Sequence, residues 1–578
     1  MIKLKSLLPS SKSKPFTREQ PSPKFSHTTP LVGKERNAPR PPNAPRLLLI
    51  GGGSRGAAIA QAVNDGTDGI LASIADPDRS RRREIGTRFI WRDGEVKEGM
   101  EWADWRAFLE WEVRRRERSA AESNTERKSQ DADGGGVSVT IDAVIIATPD
   151  RTHREIVTAL APLGLHMMCE KPLATSLEDC LAISRSLRAP LHSTNADSEA
   201  TASSGSGSGS GPGALFAIGH VMRYAPINRL IRQLVFEEGV LGDIVSIEHT
   251  ENVGWWHFAH SYVRGNWRND KTSGPTLLTK SCHDIDFLMW LLCAPSPAEK
   301  PHPPSTVASF GSVSHFKRAR KPPAAGTATN CLSCPAESDC HFSAKRIYLE
   351  KGLRMGLGGW PVNVVVPDIE EIMTDGGGVK AAEKELLTRL GEDYVPGTPA
   401  DVVGGRQWYG RCVYESDNNV CDDQTVHITW EDDTITLPDG RSTTRPSKSA
   451  TLHMTAFAEG ICTKRTRILG TKGEIERRGG VLAVCDFTTG KFYEKRPAVS
   501  IGGHGGGDHG LMKAFVGAVD AVKNRGMAVE EAQARFIGCG VEDIVRSHAV
   551  VFAAEEARVE RRIVDWDAWW KHHVLDTE

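Results

Sequence analysis

No apolar run in these 578 residues approaches the length of a membrane span, so a transmembrane helix is not expected. Charge of neither sign is in excess. The 72 Lys and Arg stand against 74 Asp and Glu, a net −2, which implies neither nucleic acid nor an acidic membrane as a bulk partner. The N-terminal "MIKLKSLLPSSKSKPFTREQPSPKF" has no apolar core of a secretory signal. Rich in Lys, Ser and Pro and poor in acids, residues 1–45 read as a disordered tail, with a mitochondrial presequence as the alternative. The twelve cysteines show no disulfide framework, and without an export signal they read as reduced thiols of a cytoplasmic protein.

Ordered sequence is expected from Arg46. "LLLI", Leu47 to Ile50, has the pattern of a buried strand and "AAIAQAV" that of a helix; "ILASIAD" and "DAVIIATPD" are further strands, and "THREIVTALAPLG" is a helix. "LHMMCEKP" adds a strand, and Thr175 with Glu178 has the spacing of a capping box that opens the next helix. Strands alternating with helices in this way predict a doubly wound parallel sheet over 46–195, interrupted by a charged insertion at about 94–136. "SSGSGSGSGPG" marks a linker or loop at 196–213. From 214 to 578 the chain becomes strand-rich, beginning with "ALFAIGHVM", and several segments alternate with period two, as a half-buried antiparallel sheet would. Insertions fall at about 317–345 and 367–403. The fold class is therefore α/β: a Rossmann-type domain followed by an α+β domain.

Between the first strand and helix stands Gly51-x-Gly53-x-x-Gly56, with Ser54 and Arg55 inside it. Such glycines permit a tight turn and close approach of backbone to a pyrophosphate at a helix N-terminus. Asp76 ends the second strand twenty residues on, where a carboxylate accepts from ribose hydroxyls. Asp76 favours NAD; Arg79 and Arg81 to Arg83 offer partners for the 2′-phosphate of NADP, so the cofactor is NAD or NADP.

These motifs, with "CEKPLA", "GHVMRYAPINRLI", "GVLGDIVSIE", "CHDIDFLMWLL", "ILGTKGEIE" and "GGHGGGDHG" in order, resemble the Gfo/Idh/MocA family of NAD(P)-dependent oxidoreductases. The resemblance implies a second domain with a large, mostly antiparallel sheet. It also implies that Lys171 lies near nicotinamide and substrate, that Glu170 belongs to the same motif, and that Thr148 and Pro149 pass beneath the cofactor. His283 matches the family histidine on the substrate side, with Asp286 one turn later. Where many members carry an aspartate four residues before that histidine, this chain has Thr279, followed by Lys280. The expected catalytic groups are Lys171, Lys280 as proton shuttle or anion clamp, and His283 as general acid/base.

Arg223 and Tyr224 are expected to leave the first strand of the second domain toward the substrate. Trp255, Trp256, His257, Tyr262, Arg264, Asn266 and Trp267 supply aromatic faces and donors suited to a polyhydroxylated ring, or to an ordinary core edge. His504 and Asp508 sit on a glycine-rich loop able to close over substrate. "CLSCPAESDCHF" places Cys331, Cys334, Cys340 and His341 within eleven residues; zinc, incidental thiols and redox-sensitive thiols all fit, and hydride transfer itself calls for no metal.

The expectation is an oxidoreductase acting on the CH–OH group of a sugar, polyol or similar small molecule. The alternatives are a lyase or glycosidase that oxidises its substrate transiently, and a non-catalytic nucleotide- or sugar-sensing regulator. A broad second-domain sheet offers a natural interface for a homo-oligomer.

Overall fold

The computed structural model describes residues 40–92, 94–125, 139–189, 213–294, 300–374, 377–436, 440–497 and 503–577. Residues 1–39 of the expected N-terminal tail, residues 126–136 of the first insertion and all of the linker but residue 213 lie outside these residues.

Six parallel strands make the first sheet: β1 (Arg46–Ile50), β2 (Ile70–Ala75), β3 (Glu101–Trp102), β4 (Ala143–Ile146), β5 (His166–Cys169) and β6 (Phe216–Ile218), in the order β3-β2-β1-β4-β5-β6. Strand order reverses between β1 and β4, so a crevice opens at their carboxyl ends. The connecting helices are α1 (Ser54–Gly66), α2 (Arg79–Ile85), α3 (Trp105–Thr125), α4 (His153–Leu160) and α5 (Leu177–Arg188). The cap of α5 is Ser176, whose hydroxyl accepts from Asp179 N at 3.1 Å, one residue beyond the expected Thr175–Glu178 pair. The charged "EVRRRERSAAESNTERKSQDADGGG" begins in α3, as expected of an exposed helix.

One domain boundary moves. Phe216–Ile218 pairs with β5 and completes the first sheet, and does not open the second. Three residues of alternating pattern carry too little to tell a last buried parallel strand from a first antiparallel one. The helices Gly507–Arg525 and Val541–Glu560 also differ from expectation: Leu511, Phe515, Val519 and Val545 pack into the first core beside Ile59, Val63 and Leu181.

The second sheet has nine strands in the order β16-β15-β14-β13-β7-β12-β9-β8-β17, antiparallel except for the β7–β12 pair. They are β7 (Ile244–Asn252), β8 (Thr306–Ser312), β9 (Asp423–Trp430), β12 (Lys448–Thr455), β13 (Thr463–Gly470), β14 (Gly473–Arg478), β15 (Val481–Asp486), β16 (Lys491–Lys495) and β17 (Val564–Asp565). The hairpin β10 (Asp433–Thr436) and β11 (Ser442–Arg445) stands apart from it.

The inward face of this sheet packs on α9 (Cys282–Leu292), every residue of which is buried, and on Ala549 to Ala557. Before α9 come α6 (Pro226–Arg232), α7 (Trp255–Phe258) and α8 (Thr276–Thr279). The sequence of 366–393 reads as a surface helical excursion. Instead it buries Val366, Ile369, Leu386 and Leu390 against Phe258, Tyr262 and Phe316 in a third apolar cluster. No helix of the described residues is long and apolar enough to cross a membrane.

Candidate active site

The glycine turn follows from two close approaches. Gly51 has φ +99°, and a Cβ there would lie 2.4 Å from Ala147 O. A Cβ on Gly56 would stand 1.9 Å from Gly51 O, so α1 can pack onto β1 only without one. The Gly53 cap leaves α1 without a side-chain cap, and a Cβ there would reach only the Arg81 guanidinium, at 4.0 Å. Uncapped amides at a helix start, open space over Gly53 and a buried carboxylate beside them suit a dinucleotide pyrophosphate and ribose. That carboxylate is Asp76, which accepts from Gly52 N at 2.6 Å and Asp78 N at 2.8 Å. Of the nearby arginines only Arg81 borders this turn; Arg82 is engaged with Asp76 O, at 2.7 Å, and Glu101, while Arg79 and Arg83 point to solvent.

Arg55 turns away from the turn. Its guanidinium joins Glu170 and Asp508, each at 2.7 Å, and Asp508 also meets His504 Nδ1 at 3.0 Å. Asp508 therefore clasps the Rossmann helix and not the substrate side expected for it. Burial would lift its carboxyl; His504 and Arg55 outweigh this and hold it low.

Two loops at the carboxyl ends of β4 and β5 are joined by a histidine that sequence reasoning missed. His153 is fully buried, with Nδ1 2.8 Å from Pro172 O and Nε2 3.1 Å from Thr148 O. Carbonyls only accept, so both ring nitrogens donate and the ring is an imidazolium. Burial opposes that charge, but Cys169 and Asp150 overcome it and raise the group to about 10. This cation fixes the Thr148–Pro149 turn against Lys171–Pro172.

Lys171 Nζ donates to Thr279 O at 2.7 Å, which carries the Rossmann lysine to the turn ahead of α9. Asp150 borders it, accepting from Trp267 Nε1 at 3.1 Å; burial raises its carboxyl, while His153 and Lys171 pull it back.

The head of α9 sits on a charged patch of the sheet. Period two places Ile247, His249 and Glu251 on one face of β7, opposite Ile468, Thr466 and Lys464 of β13. Glu251 pairs with Lys280 Nζ at 2.8 Å and Lys464 Nζ at 2.5 Å. Burial would raise its carboxyl; the two ammonium groups win and hold it ionised. Burial likewise opposes the charge of Lys280, yet Cys462, whose Sγ lies at 3.2 Å, and Glu251 keep it protonated. His283 is buried, with neither ring nitrogen hydrogen-bonded and Nε2 3.3 Å from Asp284 Oδ2. Burial lowers it to about 3 against the pull of Asp284, so the imidazole is neutral. His257 joins the group with Nδ1 3.6 Å from Cys462 Sγ, and burial lowers it too to about 3.

Ligand atoms of Glu251, His283 and Asp284 fall within 4.8 Å of one another. Both carboxylates are already matched by Lys280 and Lys464, which disfavours a cation there. In the other such group, His220, Cys282 and His548, the imidazole of His548 is used up by Leu173 N and Ile544 O.

Several expected substrate contacts are engaged elsewhere. Arg223 and Asp286 form a buried bidentate pair at 2.7 and 2.8 Å. Tyr224 donates to Ile537 O at 2.9 Å, and Arg264 is buried against Arg411 O and Phe342 O. Trp256 packs on Trp360, and Trp255 on His341 and Phe342. Asn266 is exposed, while Tyr262 stacks between Phe258 and Trp267 at the edge of the cleft.

Two family models match this chain: "Oxidoreductase family, NAD-binding Rossmann fold" over residues 46–189 and "Oxidoreductase family, C-terminal alpha/beta domain" over 234–321. These two stretches match the two domains of the Gfo/Idh/MocA oxidoreductase family. The first domain is accordingly an NAD-binding Rossmann domain. Residues of this chain are 31% identical over 152 positions to 2,7-anhydro-N-acetylneuraminate hydratase of Escherichia coli (strain K12), covering 26% of this chain and 34% of that protein. They are 27% identical over 175 positions to inositol 2-dehydrogenase 2 of Saccharopolyspora erythraea, covering 30% and 42%. The match thus spans about a third of the length of the first of these relatives. A levoglucosan dehydrogenase in complex with NADH shares the fold, with a TM-score of 0.51 and 16% identity over 90% of this chain and 98% of that one.

Proposed function

We propose that the chain is an NAD-dependent oxidoreductase that moves a hydride between nicotinamide and a hydroxyl-bearing carbon of a cyclic sugar or polyol. The observation that carries this reading is the reach of Lys171 from the nucleotide domain to Thr279, beside Lys280 and His283. Proton-handling groups from both domains thereby meet at the crevice where a Rossmann sheet presents its cofactor.

Bound NAD supplies the hydride acceptor. The amides at the start of α1 would take the pyrophosphate, and Asp76 the adenosine ribose. Asp76, buried next to the turn, supports NAD over NADP, because a 2′-phosphate would meet its charge. Lys171 would hold the reacting hydroxyl and pass on its proton, with Asp150, raised by burial, as the adjoining acceptor. His283, neutral, would offer one acceptor and one donor to a substrate hydroxyl. Lys280, kept charged, is better suited to clamp a developing alkoxide or substrate oxygen than to act as a base.

A second reading has one specific support: the Escherichia coli relative is a hydratase. In that reading oxidation is transient and NADH does not accumulate. The test is calorimetric titration with NADH and with NADPH. Micromolar NADH binding, with NADPH weaker, supports the proposal; no binding of either overturns it.

A further inference from the structure

Arg264 is 1% exposed, and among the described residues no carboxylate lies within ion-pair distance of it. A buried guanidinium without a counter-charge is costly, so the surroundings must supply negative charge in another form. Its Nε donates to Arg411 O at 2.6 Å, and Nη2 to Phe342 O at 2.8 Å and to Cys331 Sγ at 3.5 Å, while Nη1 is buried with no hydrogen-bond partner. These contacts converge three cysteine-bearing segments on one cation: Cys331 itself, Cys340 two residues before Phe342, and Cys412 next to Arg411.

The backbone holds the same segments together. Cys331 N donates to Gly410 O and Cys412 N to Thr329 O, both at 2.8 Å, around an Asn330–Arg411 bridge. Cys331 to Cys334 close a tight turn in which Cys334 N donates to Cys331 O at 3.4 Å. No disulfide joins them. The sequence pattern contained three of these thiols; the fold adds the fourth, 72 positions after Cys340.

We propose that Cys331, Cys334, Cys340 and Cys412 hold a thiophilic metal centre, separate from the hydride-transfer site. Metal-bound thiolates carry the negative charge that Arg264 lacks. The four sulfurs do not lie within 4.8 Å of one another as the acid and imidazole groups of the cleft do. A zinc ion would draw the four side chains inward, whereas an iron–sulfur core would be held by more widely spaced thiolates. The centre would brace the segment from Trp255 to Trp267. Its Arg264 face meets the thiols, and its His257 and Trp267 face meets Cys462 and Asp150.

The experiment measures zinc, iron and acid-labile sulfide in the full-length protein, purified without chelator from cells supplied with both metals. About one zinc per chain, or iron with matching sulfide and a visible absorption band, is expected. Cys334→Ser and Cys412→Ser should each lose most of that metal, while Cys485→Ser, on β15, keeps it. In case those variants do not fold, the wild type gives a second measurement: an organomercurial should release the metal, and iodoacetamide should label Cys334, Cys340 and Cys412 at least tenfold faster afterwards. Substoichiometric metal with equal labelling before and after, or a Cys331–Cys334 disulfide by mass spectrometry, would overturn the proposal.

Discussion

The ammonium of Lys171 donates to the carbonyl oxygen of Thr279 at 2.7 Å, across 108 positions of sequence. The bond pins a Rossmann loop to the turn ahead of α9, so Lys171 serves both domains. Lys171→Ala should keep NADH affinity within a few-fold and lose about a hundred- to ten-thousand-fold in kcat, the usual range for a lost proton-transfer group. Comparing NADH affinity with turnover checks this; unchanged turnover removes Lys171 from the chemistry.

Glu251 is fully buried between Lys280 and Lys464. Glu251→Gln would leave two buried ammonium groups facing one another, at a cost of about 3–5 kcal/mol. The urea midpoint should fall accordingly, and adding Lys464→Met should recover part of the loss. A midpoint unchanged by the single substitution would show that the pair carries no stability.

Asp76 accepts two backbone amides and is 4% exposed. Asp76→Ala should weaken NADH by about tenfold, or about 1.4 kcal/mol, and narrow the gap to NADPH. Binding titrations with both nucleotides decide the point, and an unchanged ratio would put specificity elsewhere.

Buried histidines of opposite sign shape the pH dependence of stability. His257, His283 and His548 are held near 3 by burial, below the ordinary value of 6.5. The unfolded chain therefore binds more protons between about pH 3 and 6.5. Stability from these groups is intact above 6.5 and falls on acidification, by up to about 1.4 kcal/mol per pH unit for each. His153, raised to about 10, acts the other way: its stability is intact below 6.5 and is lost as pH rises toward 10. Denaturant melts from pH 4 to 10 should show both flanks. His283→Asn should flatten only the acid one, and an unaltered acid flank would contradict a buried neutral His283.

The nucleotide turn was legible because Gly51, Gly53 and Gly56 act within one strand–turn–helix unit, where spacing alone carries the geometry. The second sheet was legible from period two. The charged patch beneath α9 was only half legible: the buried face of β7 already held Glu251 beside Ile247 and His249, a carboxylate where an apolar residue is the rule. What no pattern supplies is the β7–β13 register that brings Lys464 across from it. Arg223 and Asp286 misled for the same reason. Each reads as a polar group aimed at a ligand until the fold shows that they neutralise one another. His153 escaped notice because its two acceptors are backbone carbonyls, which carry no residue identity.

The proposed hydride transfer leaves the cofactor reduced in proportion to the product formed. The most direct measurement is NADH formation from NAD by the purified protein over a panel of anhydro-sugars, inositols and linear polyols, with product quantified beside it. At least one substrate should give equal amounts of NADH and oxidised product, with Lys171→Ala abolishing both. Product formed without NADH accumulation would contradict it and leave the transient-oxidation reading in its place.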